Sequence, residues 1–431
     1  MNLASQVRNV RAPAIAAALL VSVVACDDPE RGFDPGGPVE ETVHPAEDAL
    51  LSSDSDAPVV QVSLDDVDAD GDAFGLGSFD EDGAIGVLDG PDERTLGSIR
   101  DADILADEHV ALIDGDYGTV RVLDSGVEPV ELVGSFGDGP GEFVDPVAVV
   151  ADPGGAFHVV NRITSQARVE TFGPSRGAGY EFAERGPSLP TMVQGGPRIC
   201  RVGQREYATG LLTREVAADD GRMLGALDDA GWIHEIDAEG EVLNSFGTPY
   251  PALFERTLAV EDEAETEQGR SLMMAVLEVG LNLASARLAC GDEMGDGVVA
   301  AYEGLGEVHA YTLDGELEWI ADLADVSPPR ILQRDFDSGS SVGPDPSGSE
   351  ASHRITHVTL LSPELLAVQV QADGELETFR TYLVDPADGG LLAGFEGDHQ
   401  VIGGGDGQAV LYREDPYPQA SVVQVRDGPG G

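Results

Sequence analysis

Four arginines stand in near-equivalent settings, each at or near the head of a short run: Ser98-Ile99-Arg100-Asp101, Pro197-Arg198-Ile199-Cys200, Ala286-Arg287-Leu288-Ala289 and His353-Arg354-Ile355-Thr356. A guanidinium presents a planar fork of N–H donors, so arginines recurring at one structural position suit a carboxylate or a sulfate. Their surroundings make them conspicuous. The chain carries 80 acidic residues against 24 basic ones, a formal charge of −56, and every basic residue is arginine. A surface of that sign repels phosphate backbones, which argues against nucleic acid as a partner. It reads as a solvated acidic face suited to a saline or cation-rich medium. The lack of lysine removes P-loop phosphate binding and Schiff-base chemistry. The partner that the arginines suit is a small anionic molecule. The competing reading is that each arginine pairs with a neighbouring carboxylate, such as Asp101 or Asp103, and only organises the fold.

Other constellations are less complete. Asp66, Asp68 and Asp70 alternate ahead of Gly71, as in the first half of a calcium loop, where alternate carboxylates converge on a hard cation. The twelfth position of such a loop is Gly77, where a bidentate Glu would close the site. Calcium is thus the only cofactor the residues suggest, and in so Asp-rich a chain a half-motif also arises by chance. Gly339-Ser340-Ser341-Val342-Gly343 has G-x-S-x-G spacing, but it lies in a polar loop without the strand and helix that strain a nucleophile elbow. His353 and His357 would share one face of a strand, yet two imidazoles are not a zinc site and spacing supplies no third ligand. They read as structural histidines.

The elements that must position these residues are short strands. The chain has 55 glycines and only 6% aromatic residues, which favours many strands joined by tight turns over helical bundles. Aligning it on a strand-then-turn signature gives six copies. Their second strands end at Asp114, Asn161, Asp228, Tyr302, Gln371 and Glu414, and each is followed by a third strand of period-two alternation.

The best-defined copy runs from Gly134 to Phe172. Its opening, Gly137-Asp138-Gly139-Pro140-Gly141-Glu142-Phe143-Val144-Asp145-Pro146, leads into a strand that ends at Asn161. This order resembles the NHL-type repeat, in which a G-x-G-P-G-x-F-x-x-P opening leads into a strand ending in Asp or Asn. The chain is similar to the NHL-like six-bladed β-propeller lipoproteins of bacteria over about residues 58–428, most strongly over 99–172. The resemblance implies an all-β, six-bladed β-propeller in which innermost strands carrying Arg100, Arg198, Arg287 and Arg354 line a central channel. It further implies a ligand- or partner-binding module of the cell envelope, its partner an anionic small molecule or an envelope protein. The alternative is a metal-dependent lyase or lactonase, because related six-bladed propellers hold a metal in the channel. No family ligand set maps onto positions of this chain, and whether it is an enzyme stays open.

The last copy ends near Val425 with three strands. A ring must close, so the alternating strand Val59 to Leu64 is expected to supply the fourth by pairing with the strand around Val422. Two insertions stretch the repeat. Residues 252–283 place Leu272, Met273, Val276, Leu277 and Leu281 at helical spacing, which predicts a helix over about 262–282, and residues 335–351 read as a loop. Residues 1–25 have the layout of a lipoprotein signal peptide: Arg8 and Arg11, an apolar run, then Val23-Val24-Ala25-Cys26, which resembles a lipobox. Cys26 would carry the lipid, the only contact with the membrane, and residues 26–57 would be an acidic disordered tether. A soluble exported form is the alternative. Either way the chain would sit in the bacterial cell envelope, facing the periplasm or the cell surface. Lipid on Cys26 leaves Cys200 and Cys290 as a disulfide or as two buried thiols.

Overall fold

Period-two alternation makes strands that bury one face, and here those faces pack on the next sheet round a ring. The computed structural model describes residues 41–44, 57–64, 71–81, 83–88, 90–106, 108–163, 166–176, 179–189, 191–192, 198–217, 223–227, 231–247, 285–291, 297–324, 326, 331–336, 339–344, 353–372 and 378–426. Six antiparallel four-stranded units form the blades of a β-propeller. From innermost to outermost, blade 1 is Ile99–Ile104, Val110–Asp114, Thr119–Leu123 and Pro129–Val133. Blade 2 is Pro146–Ala151, Phe157–Ile163, Gln166–Pro174 and Tyr180–Leu189. Blade 3 is Ile199–Val202, Arg205–Thr209, Ile233–Ile236 and Val242–Phe246. Blade 4 is Ala286–Gly291, Gly297–Tyr302, Glu307–Thr312 and Leu317–Leu323. Blade 5 is His353–Ser362, Leu365–Ala372, Phe379–Val384 and Leu391–Gly397. Blade 6 is Gln400–Gly405, Gln408–Arg413, Gln419–Gln424 and, from the N-terminal side of blade 1, Ala84–Ile85.

The hydrophobic core is divided by the blades. Leu105, Ile113, Phe143, Phe157 and Phe172 pack between blades 1 and 2. Comparable clusters fill the junctions of blades 2 and 3, 3 and 4, 4 and 5, and 5 and 6. Ile85, Ile99, Leu112, Ile402, Val410 and Tyr412 then join blade 6 to blade 1, so burial itself closes the ring.

Closure does come from an N-terminal strand, but not from Val59 to Leu64. Ala84 and Ile85 pair with Ser421 and Ala420 of the last blade. Val59–Val62 instead lies parallel to the outer strand of blade 4, Val59 opposite Ile320 and Val62 opposite Leu323. The outer strand of blade 4 is an open edge, and the N-terminal strand caps it. Ile320 N–H donates to Pro58 O, Ala324 N–H donates to Val62 O, and the Gln61 amide reaches Asp322 at 3.1 Å. Val62 is buried with Trp319, Ala321 and Leu323.

Blade 3 also departs from the repeat alignment. Its second strand is Arg205–Thr209, whereas Met223–Leu227, the run ahead of Asp228, pairs with Leu211–Ala217 in a separate hairpin inserted into the blade. The segment expected as a loop contributes a strand: Gly339–Pro344 pairs with Ile331–Phe336, and Glu41–His44, within the expected tether, lies on the other edge of Ile331–Phe336. The G-x-S-x-G spacing therefore falls inside a strand, not on a strand-to-helix turn. The expected helix over 262–282 and the leader lie outside the described residues. Among the described residues the one helical turn is a short 3-10 turn at Gly71–Phe74, and no helix is long and apolar enough to cross a membrane.

Candidate anion site in the central channel

The Asp, Asn or Thr at the end of a second strand has a local job that sets up the channel. Asp114 accepts the Gly97 N–H at 3.0 Å, Asn161 accepts the Val144 and Asp145 N–H groups at 3.0 and 3.1 Å, and Thr209 accepts the Arg198 N–H at 2.9 Å. Each pins the chain just ahead of, or at the start of, an innermost strand. The repeat's polar residue thereby fixes where that strand, and any arginine at its head, faces the axis.

All six innermost strands contribute to a cavity of about 160 Å³ on the axis. Its polar wall is Asp101 and Asp103 from blade 1, Arg198 and Arg201 from blade 3, Arg287 from blade 4, and His357 and Thr359 from blade 5. Blade 6 offers Ile402 and Gly404. Next to them, Gly403 lies so close to blade 1 that a Cβ there would sit 2.1 Å from Ala102 O, so any larger residue would push the two blades apart.

Of the four arginines singled out in the sequence, Arg198 and Arg287 reach this cavity. An Nη of Arg198 donates to Val147 O, and Nε of Arg287 lies 2.7 Å from a Glu303 carboxylate oxygen. Arg100 is turned into the rim, where Asp145 receives it together with Arg162 Nε at 2.7 Å. Its partner is therefore Asp145 of the next blade, not the adjacent Asp101 or Asp103. Arg354 is exposed on blade 5 and does not line the cavity. The four do not form one ring; two converge.

Asp101 and Asp103 face the axis two residues apart on one strand, and they bridge blades. Val149 N–H donates to Asp101 Oδ2 at 2.8 Å and Ala151 N–H donates to Asp103 Oδ2 at 2.7 Å. An innermost strand is a sheet edge with N–H groups facing away from its own blade, so these carboxylates satisfy donors that no neighbouring strand meets. Burial pushes the Asp101 carboxyl up to about 6, against the pull of Arg198 and of the Val149 N–H. It pushes Asp103 up to about 7, where the Ala151 N–H opposes the shift and the charges of Asp101 and Asp406 add to it. Burial and the charge of Arg287 bring the Arg198 guanidinium down to about 10, which leaves it charged at neutral pH. His357 is held well below its ordinary value by burial and by Arg287 and Arg198, so the ring is neutral. Its Nε2 lies 3.4 Å from Arg100 O, while its buried Nδ1 has no hydrogen-bond partner among the described residues.

Cys200 and Cys290 are joined as a disulfide between the innermost strands of blades 3 and 4, with Cα atoms 5.7 Å apart. Both line the cavity, and the bond links the strands that carry Arg198 and Arg287. Cys26 and the half-motif Asp66, Asp68 and Asp70 lie outside the described residues. Among the described residues no three His, Cys, Asp or Glu side chains group as a metal site. The channel's donors are unsuited to a divalent cation, because its carboxylates are engaged by backbone N–H groups and two guanidiniums stand beside them. Sequence reasoning did not place Asp101, Asp103 and His357 in a site. The signal available was two carboxylates at period-two spacing on a strand otherwise buried.

No family model matches the chain, and no curated protein matches it significantly. Solved structures do. A member of the DUF4221 family from Bacteroides vulgatus superposes with a TM-score of 0.51 at 9% identity, covering 80% of this chain and 95% of that one. A PQQ-bound aldose sugar dehydrogenase from Streptomyces coelicolor gives 0.42 at 12% identity, covering 77% and 95%. A streptogramin B lyase gives 0.38 at 10%, covering 76% and 93%. The first is a likeness of fold: a β-propeller.

Proposed function

We propose that the protein is an exported, lipid-anchored β-propeller of the NHL-like kind that binds a small anionic group in its central channel, serving as a ligand-binding module of the cell envelope. The observation that carries this reading is the convergence of Arg198 and Arg287 with neutral His357 on one cavity in a chain of charge −56. Three blades must bring these groups together, and a concave polar site reached from several elements is where a small ligand is held. The leader ending at Cys26 supports export and anchoring. The lyase or lactonase alternative needs a metal, and the channel's donor set among the described residues does not fit one.

The test is calorimetry of the purified protein with acetate, propionate and sulfate, in the wild type and in Arg198→Ala/Arg287→Ala. Binding by the wild type and at least a tenfold loss in the double variant is the expected result, with a melting temperature within a few degrees. Equal affinity in both proteins would move the anion out of the channel.

A further inference from the structure

Resting on the channel reading above, we infer that the ligand is dipolar: a small α-amino acid, bound with its carboxylate toward Arg198 and Arg287 and its ammonium toward Asp101. The cavity wall is sorted by charge along the axis. The innermost strand of blade 2 serves as a ruler, because Arg198 reaches Val147 O, Asp101 takes the Val149 N–H and Asp103 takes the Ala151 N–H. Alternate residues of a strand are about 6.6 Å apart, so guanidinium, first carboxylate and second carboxylate follow one another in single steps. Arg198 and Arg287 both act on Asp101, whereas the charges felt by Asp103 are those of Asp101 and of Asp406 from blade 6. One end of the cavity carries Arg198 and Arg287; at the other Asp103 stands with Arg201, whose guanidinium is taken up by Asp152 and Glu206.

Net charge points the same way. Glu303 offsets Arg287, Asp101 stands against Arg198, and Asp152 and Glu206 offset Arg201, so the cavity is polarised but without a large excess of positive charge. A plain anion entering it meets the Asp101 carboxylate and the field of a chain at −56. A zwitterion carries no net charge through that field and pairs with both ends. Its ammonium also favours the ionised form of Asp101, offsetting the burial that raises that carboxyl. The cavity, about 160 Å³, has room for a small α-amino acid such as glycine, alanine or serine.

The experiment is calorimetry of the full-length protein at pH 7.5 with L-alanine, L-serine, glycine, propionate and methylamine. Alanine and propionate differ by the ammonium alone. Expected is alanine at least tenfold tighter than propionate, no measurable methylamine binding, and an Asp101→Asn protein that binds alanine and propionate within twofold of each other. Propionate as tight as alanine overturns the dipolar ligand and leaves the anion site standing. No binding of any of the five overturns both. Should Asp101→Asn fail to fold, the alanine-to-propionate ratio of the wild type decides.

Discussion

At the scale of single residues, the informative feature is that Asp103 performs structural work and remains protonatable. It accepts N–H groups from Ala151 and Ile104, yet burial and the neighbouring Asp101 and Asp406 lift its carboxyl from 3.8 to about 7. A carboxyl raised on folding makes the native state bind protons that the unfolded chain has released. The contribution of Asp103 to stability is therefore full near pH 4, declines as pH rises toward about 7, and is level above that. Buried histidines act in the opposite sense: burial and Arg201 hold His158 down to about 4, so its share of stability is lost as pH falls toward 4. The whole protein's profile mixes these, so the clean observable is a difference. The melting temperature of Asp103→Asn, compared with wild type, is expected to improve from pH 5 to pH 8. A difference that stays constant over that range would mean that Asp103 does not titrate within it.

At the scale of elements, the Cys200–Cys290 bond does what the repeat does not, fixing blade 3 to blade 4 at the cavity wall. It closes a sequence separation of 90 residues. Cross-links over long loops typically contribute about 2–4 kcal/mol, largely by restricting the unfolded chain. Cys200→Ser/Cys290→Ser is expected to lower the urea midpoint accordingly and to weaken propionate binding, because Arg198 and Arg287 lose their fixed separation. An unchanged midpoint would show that the inter-blade core alone sets the junction. Most strands were legible in the sequence because alternation and turn glycines are local signals. Blade 3 misled for a physical reason. Its true second strand, Arg205–Thr209, opens with two charged side chains that pair with Glu235 and with Arg201 across neighbouring strands, whereas the inserted Met223–Leu227 has the more apolar pattern. The closing strand, Ala84–Ile85, is two residues long and has no periodicity to read.

At the scale of the whole molecule, the ring explains both what could be read from the chain and what could not. Arg198 and Arg287 drew notice by type and setting alone. Their meeting, the engagement of Asp101 and Asp103 by blade 2, and the neutrality of His357 depend on closure, which brings residues more than 250 positions apart onto one axis. The chain that closes this ring is strongly acidic, with a formal charge of −56 over its whole length. Much of that charge has no basic partner to meet, since 24 arginines face 80 carboxylates. Self-repulsion of this kind opposes the folded state and is weakened by salt, the Debye length falling from about 10 Å at 0.1 M to about 3 Å at 1 M. Surface ion pairs such as Arg94–Glu128 and Arg380–Glu396 lose their small contribution over the same range, but they are few beside the unpaired acids. The melting temperature is therefore expected to rise by several degrees between 0.1 and 1 M sodium chloride at pH 8, and to rise less at pH 5, where part of the repulsion is relieved by protonation. A flat or falling profile would mean that the acidic residues are already compensated in the folded chain, and that the acidic surface does not limit its stability.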